Sequence, residues 1–381
     1  MREFRYLKRR MKFRRAARPR APKIRRLAPA AWLAAPLLAG LLLPLALVPL
    51  RGGHEAPEAV PQATASPAPP AAAAAEAPQP EVTVYLSQSG QIETLPLEDY
   101  VSGVLAAEMP ADFELEALKA QAVAARTFIV RRLLAGDHSG VPVPEADVSD
   151  TVSHQAYISR AVLEREWEHG GKSAELAKLR RAVLETRGVI MTYKGQPITA
   201  SFFASSGGYT ENSEDYWNVA VPYLRSVSSP WELEITPNLA VSVSFSTSEL
   251  LSKLGLDAAA LPASQALAAS GKMKPVSSSS SALPAVVLSL TAGHRVKEIS
   301  IGGTVFTGRE VREKLGLRSS QFTWKRQGSE VVITTYGNGH GVGMSQWGAN
   351  GMAKEGSTAT QILKHYYSGV QFTQVSTLLK K

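Results

Sequence analysis

The stretch that decides the fold runs from Leu97 to Leu134, LEDYVSGVLAAEMPADFELEALKAQAVAARTFIVRRLL. Leu97–Ala107 reads as a helix, and Met109-Pro110 ends it, because the residue before a proline resists the helical region. Glu114–Leu134 is the strongest helix of the chain, with Leu115, Leu118, Ala122, Ala125, Ile129 and Leu133 on one face. Outward from this pair the texture alternates. Val82–Ser87 and Gln91–Leu95 predict a hairpin broken at Gly90, and Ser173–Thr186 a further helix stopped at Gly188. Val189–Tyr193 and Pro197–Ala204 flank a Lys194-Gly195-Gln196 turn. Leu239–Phe245 predicts a strand, and Ser246 with Glu249 a capping box opening a short helix. Arg295–Ile301 with Thr304–Phe306, and Phe322–Arg326 with Glu330–Tyr336, read as two more hairpins, followed by helices near Ser345–Lys354 and Thr360–His365. Helices and antiparallel hairpins interleave without a regular βαβ rhythm, so the fold class is α+β.

The chain has 381 residues and no cysteine, which excludes a disulfide scaffold, a thiolate zinc or iron–sulfur site and a cysteine nucleophile. Its formal charge of +9 is unevenly placed. Residues 1–29 carry 13 Lys/Arg against Glu3 alone, whereas residues 82–381 carry 28 bases and 28 acids. The basicity therefore belongs to a tail, and nucleic acid is set aside as a partner.

Ala30–Leu50 holds 21 residues without a charge. As a helix it spans roughly 31 Å, about one bilayer core. The positive flank predicts a single-pass transmembrane helix with a cytoplasmic N-terminus. A cleaved signal peptide is the alternative; against it stand the long basic region, the long apolar run and the lack of a clear A-x-A site. Residues 51–81 then form a linker, whose part from His54 to Glu81 contains 11 alanines and 7 prolines. Such a composition predicts an extended tether reaching on the order of 85 Å. Residues 82–372 form the folded domain, with a disordered insertion at 270–285, and 373–381 a C-terminal tail.

Three places could carry chemistry. Glu108 lies at a helix end among small and apolar neighbours. The helix C-terminus and the apolar surroundings both push its pKa upward, as suits a general acid; a solvated acid is the plainer alternative. Phe203–Tyr209 (FASSGGY) follows a strand and either frees hydroxyls and N–H groups for a ligand or is only a tight turn. No G-x-S-x-G elbow accompanies it. Gly337–Gly348 (GNGHGVGMSQWG) is spaced G-x-G-x-G-x-G, which is not the dinucleotide fingerprint. It predicts a bent loop presenting His340, Gln346 and Trp347, a polar and aromatic set suited to sugar. The seven histidines form no H-E-x-x-H or close ligand pair, so neither metal nor another cofactor is expected.

Residues 99–110 (DYVSGVLAAEMP) with 119–127 (KAQAVAART), then 205–211 (SSGGYTE), then 339–349 (GHGVGMSQWGA), together resemble the stage II sporulation protein D family, which includes the amidase-enhancer homologues. The similarity runs from about Val82 to Phe372. The resemblance implies a peptidoglycan lytic transglycosylase acting in forespore engulfment, with Glu108 as its catalytic acid/base. It implies a location in the mother-cell membrane facing the septal wall, and partnership with stage II sporulation proteins M and P, the latter stripping stem peptides before this enzyme cuts the glycan. Some members carry a zinc site of cysteines and histidine before a Gln-Ala-Tyr motif. Here Asp147–Asp150 and Val152–Tyr157 lack those cysteines, and no zinc is carried over.

The chemistry fits these residues. A transglycosylase activates no water: one carboxyl protonates the leaving oxygen, then assists the muramic 6-hydroxyl in closing a 1,6-anhydro ring, unlike the two-carboxylate hydrolytic scheme. Ser205, Ser206, Tyr209, His340 and Gln346 are the expected substrate contacts. The alternative is a non-catalytic, glycan-binding activator of a cell-wall amidase.

Overall fold

The computed structural model describes residues 79–256, 284–327 and 330–378. The basic tail, the expected membrane span, the linker up to residue 78 and residues 270–283 of the expected insertion lie outside the described residues. Among the described residues no helix is long and apolar enough to cross a membrane.

Strands β1 (Glu81–Leu86) and β2 (Gln91–Pro96) pair antiparallel and lead directly into α1 (Leu97–Glu108). Helix α2 (Leu115–Ala135) follows and runs through the larger core. Its Ala117, Leu118, Ala122, Ala125 and Ile129 are fully buried, the last four being among the periodic positions read from the sequence. Strand β3 (Val148–Ser149) adds to β1 in parallel. A short α3 (Arg160–Val162) continues into a π-helical turn at Leu163–Glu168, and α4 (Ser173–Glu185) packs on α1 and α2. Strands β4 (Val189–Tyr193) and β5 (Gln196–Pro197) are followed by β6 (Phe202–Phe203) and α5 (Ser213–Trp217). The expected strand 197–204 is thus split: Thr199–Ser201 leaves the ladder, and β6 pairs in parallel with a distant segment.

A second, smaller core is inserted here. It is built by β7 (Ala240–Ser246), α6 (Thr247–Leu254), β8 (Ala285–Leu290), β9 (Val296–Ile301), β10 (Thr304–Thr307), α7 (Gly308–Leu315), β11 (Phe322–Gln327) and β12 (Glu330–Tyr336). Phe245, Leu250, Ile299, Ile301, Val311 and Ile333 meet at its centre. At Ser246 the expected capping box is half made: the hydroxyl accepts from the Glu249 N–H. The chain then returns to the larger core through β13 (Met344–Ser345), α8 (Gln346–Lys354), α9 (Ala359–Tyr366), β14 (Gln371–Gln374) and α10 (Val375–Leu378).

Three domain edges move. Glu81 pairs with Pro96, so the fold takes the last residue of the expected linker. Ala285 pairs with Ile301, removing the end of the expected insertion. Thr373 pairs with Ile190, so the expected C-terminal tail begins inside a sheet. Each shift has the same cause: backbone groups there find ladder partners, which an extended tail would have to leave to water.

One buried ion pair organises the larger core. Arg126 on α2 is fully buried and donates to both carboxylate oxygens of Glu98 on α1, the shortest contact being 2.6 Å. The same guanidinium donates to the Val183 and Val189 carbonyls, and Glu98 accepts the Gly188 N–H at 3.0 Å. Two helices, the end of α4 and the start of β4 are thereby tied at one point.

Candidate active site

A cavity of about 530 Å³ lies where the two cores meet. Glu108 comes from the last residue of α1, Phe128 from α2, and Val152, His154 and Gln155 from the extended loop before α3. The Thr199–Ala204 segment, Trp217, Arg312 of α7, Asn338–His340 and Gln346 complete the lining. Glu108 is the only carboxylic acid among these residues. A larger open groove of about 810 Å³ runs beside α1 and α4, but its Glu98 is committed to Arg126.

Local packing sets the position of Glu108. At Gly103, one turn and a residue earlier, a β-carbon would lie 2.3 Å from the Tyr157 ring, so only glycine lets the 155–158 segment come this close to α1. Tyr157 stacks on Tyr100 at 5.5 Å and donates to Glu93 at 2.8 Å. With that segment fixed, the Ala156 N–H donates to Glu108 Oε1 at 3.0 Å. Burial of the half-buried carboxyl raises its pKa above the ordinary value; the Ala156 N–H and the nearby Gln346 amide offset this only in part. One oxygen is thus held by the Ala156 N–H, and burial strengthens the carboxyl's hold on a proton relative to a solvated glutamate.

The glycine loop forms the facing wall. Gly337, Gly339, Gly341 and Gly343 all have positive φ, and a β-carbon at Gly339 would strike Phe203 at 2.7 Å. The bend sets His340 among Phe203, Tyr216 and Trp217, at ring distances of 5.5, 5.6 and 5.8 Å. Its Nδ1 accepts the Val342 N–H at 3.0 Å, which leaves the hydrogen on Nε2. Burial, with help from the Arg312 and Arg295 charges, pushes its pKa down to about 4. His340 is thus a neutral hydrogen-bond donor at neutral pH.

Two amides remain partly free. Tyr100 donates its hydroxyl to Gln155 Oε1 at 3.1 Å, while Gln155 Nε2 is buried without a partner. Gln346 Nε2, at the first residue of α8, is likewise buried; it lies beside Glu108 but makes no hydrogen bond of ordinary geometry.

Of the residues expected to contact substrate, the structure brings His340 and Gln346 to the cavity that holds Glu108. The expectation for the other three is corrected. Ser206 is 0% exposed, and its hydroxyl and N–H both donate to the buried Glu232 carboxylate, which also accepts from Ser345 Oγ at 2.5 Å. Ser205 is 1% exposed and is bonded through its backbone to Asn338. Tyr209 is 41% exposed and packs on His294, outside the cavity lining. The Ser-Ser-Gly-Gly turn is a brace: the Ser206 hydroxyl serves the buried acid, and Ser205 Oγ is buried without a partner. Gln155, Trp217 and Arg312 are among the lining residues that no sequence motif marked.

Among the described residues no three acids or histidines gather as a metal site. Where some family members hold zinc, Ser149 Oγ bonds Thr151 Oγ1 and His154 Nδ1, both at 2.9 Å, and His154 Nε2 lies 3.0 Å from the Ser139 carbonyl. Both ring nitrogens are engaged and the neighbours are hydroxyls, so this set does not fit zinc.

With the geometry in hand, comparison with known proteins places the chain. The family model described as "Stage II sporulation protein" matches residues 85–193. The chain is 44% identical to "Stage II sporulation protein D" of Bacillus subtilis (strain 168) over 349 residues, 90% of this chain and 94% of the relative. The protein of that description from Bacillus amyloliquefaciens is 45% identical over 301 residues, 79% and 80% of the two chains. The "Amidase enhancer" of Bacillus subtilis (strain 168) is 32% identical over 306 residues, covering 72% of this chain and 40% of that one. The chain belongs to the stage II sporulation protein D family, a family with a role in sporulation.

Proposed function

We propose that this protein is a membrane-anchored peptidoglycan lytic transglycosylase. It cleaves peptide-free glycan strands to 1,6-anhydro-muramic acid ends during forespore engulfment. The observation that supports this most directly is the solitary carboxyl of Glu108: half-buried, raised in pKa, one oxygen on the Ala156 N–H, and no second acid in the cavity lining.

In the first half-reaction the free oxygen of Glu108 gives its proton to the glycosidic oxygen as the bond from muramic C1 breaks. The oxocarbenium-like C1 is then attacked by the 6-hydroxyl of the same sugar, whose proton returns to the Glu108 carboxylate. No water is consumed and the acid is regenerated. The amides of Gln155 and Gln346 supply donors for sugar oxygens, His340 holds Ser201 Oγ on the wall through Nε2 at 3.5 Å, and Phe203 and Trp217 supply apolar surface for ring faces. Anchoring through Ala30–Leu50, a mother-cell membrane location and work beside stage II sporulation proteins M and P complete the proposal.

Mass spectrometry of peptide-free glycan incubated with the protein tests it. Products one water lighter than hydrolytic ends are expected, and Glu108→Gln should lower their yield by about 10²–10⁴-fold. Unchanged yield from that variant would remove Glu108 from the mechanism. A second reading, a non-catalytic activator of a cell-wall amidase, is favoured by the relative named amidase enhancer. It requires no anhydro ends at all, together with faster amidase turnover when the protein is added.

A further inference from the structure

We propose that Arg312 binds the lactyl carboxylate of a muramic residue, so that the cavity selects glycan whose stem peptide has been removed. The proposal rests on the transglycosylase reading of the same site and names the group by which substrate is chosen.

Arg312 is the only side chain of fixed positive charge in the cavity lining. It projects from α7 of the smaller core, opposite the α1 end that carries Glu108. Its guanidinium is held in place: Nη1 donates to the Tyr216 hydroxyl at 3.0 Å, and Tyr216 is itself fixed by Arg309, which stacks on the ring at 4.7 Å and donates to its carbonyl at 2.9 Å. Neighbouring cations are paired, Arg309 with Glu313 at 2.8 Å and Lys297 with Asp215 at 3.0 Å. Among the described residues no carboxylate lies within ion-pair distance of Arg312, and its Nε is buried without a partner.

A half-buried guanidinium with no counter-ion is unfavourable unless a ligand brings the anion, and the planar fork of arginine matches a carboxylate through two parallel bonds. The remaining lining agrees. Its other unpaired groups, Gln155 Nε2 and Gln346 Nε2, are donors, and His340 adds no second cation. The cavity is therefore built for a ligand rich in acceptors that carries one negative charge. In a glycan strand the sugars themselves are neutral except at the lactyl ether of muramic acid. That group is a carboxylate only when no peptide is attached; with a peptide it is an amide.

Binding to the uncut Glu108→Gln protein, measured by calorimetry, tests this with three ligands of equal length. They are peptide-free glycan, the same glycan with its lactyl groups methyl-esterified, and peptide-linked glycan, which keeps carboxylates on the peptide only. Peptide-free glycan should bind about tenfold or more tightly than either of the others. Adding Arg312→Gln should erase that preference, and Arg312→Lys should keep part of it. Equal binding of acid and ester by the Arg312 protein overturns the proposal, as does a preference that survives Arg312→Gln. Equal binding of peptide-linked glycan moves the anion to the peptide and also overturns it. Absence of anhydro products from the Glu108 protein, with the acid preference intact, removes the transglycosylase reading and keeps the carboxylate site; products without the preference do the reverse.

Discussion

Gly103 and Tyr157 are in contact so close that a single methyl group on the glycine would overlap the ring, at 2.3 Å from Cε2. The contact carries the Gln155–Ile158 segment onto α1 and so delivers the Ala156 N–H to Glu108. Gly103→Ala should cost about 1–3 kcal/mol as overpacking, read as a lower urea midpoint. Loosening Ala156 also removes a bond that favours the carboxylate. The alkaline limb of the activity profile should therefore move to higher pH.

Two groups of the site make opposite contributions to stability against pH. Glu108 has a folded pKa above its ordinary 4.5, so its ionisation opposes folding as pH rises, and Glu108→Gln should raise the denaturation midpoint at neutral pH but not below pH 4.5. His340 has its pKa pushed down from 6.5 to about 4, so the unfolded chain takes a proton that the folded protein refuses. Stability should fall as pH drops from 6.5 toward 4, and His340→Gln should flatten that fall. Denaturant midpoints across pH check both signs.

The Glu98–Arg126 pair should behave as a unit. Arg126→Ala leaves a buried carboxylate without its partner and is expected to cost about 3–5 kcal/mol. The double variant with Glu98→Ala should cost clearly less than the sum of the two single changes, as a double-mutant cycle would measure.

Brace and cavity can be separated by kinetics. Ser206→Ala strips a hydroxyl from the buried Glu232 and should lower stability by about 1–3 kcal/mol with little change in KM. Tyr209→Ala should leave both nearly unchanged. Gln346→Leu should raise KM while the fold persists, because its buried amide makes no hydrogen bond of ordinary geometry within the protein. A KM effect from Tyr209→Ala would contradict this division.

Periodicity made the larger core legible. Helices α1 and α2 begin and end within a residue or two of their sequence-based bounds, because Met109-Pro110 and a continuous apolar face are strong local signals. Strand β8 is hidden in the sequence because Ala285–Leu290 follows the serine-rich run and lacks alternation, Val286, Val287 and Leu288 all being exposed in succession. Helix α7 carries strong local signals of its own: Thr307 and Glu310 make a complete capping box, and Gly316 closes the helix in the left-handed region. Those signals place Arg312 on an element. No local pattern marks Gln155; its place depends on Tyr100 and on the close approach at Gly103. Nor does chain order reveal that β6 joins β13 in parallel, the pairing that brings the Thr199–Ala204 wall to Gln346.

The cavity draws one wall from Glu108–Gln155 and the other from Thr199–Gln346, while the matched family segment stops at residue 193. A gene fragment ending there would encode the acid without its counterpart surface. Under the proposed function, the proton donor and the Arg312 surface that would choose the strand are therefore written in separate stretches of the gene.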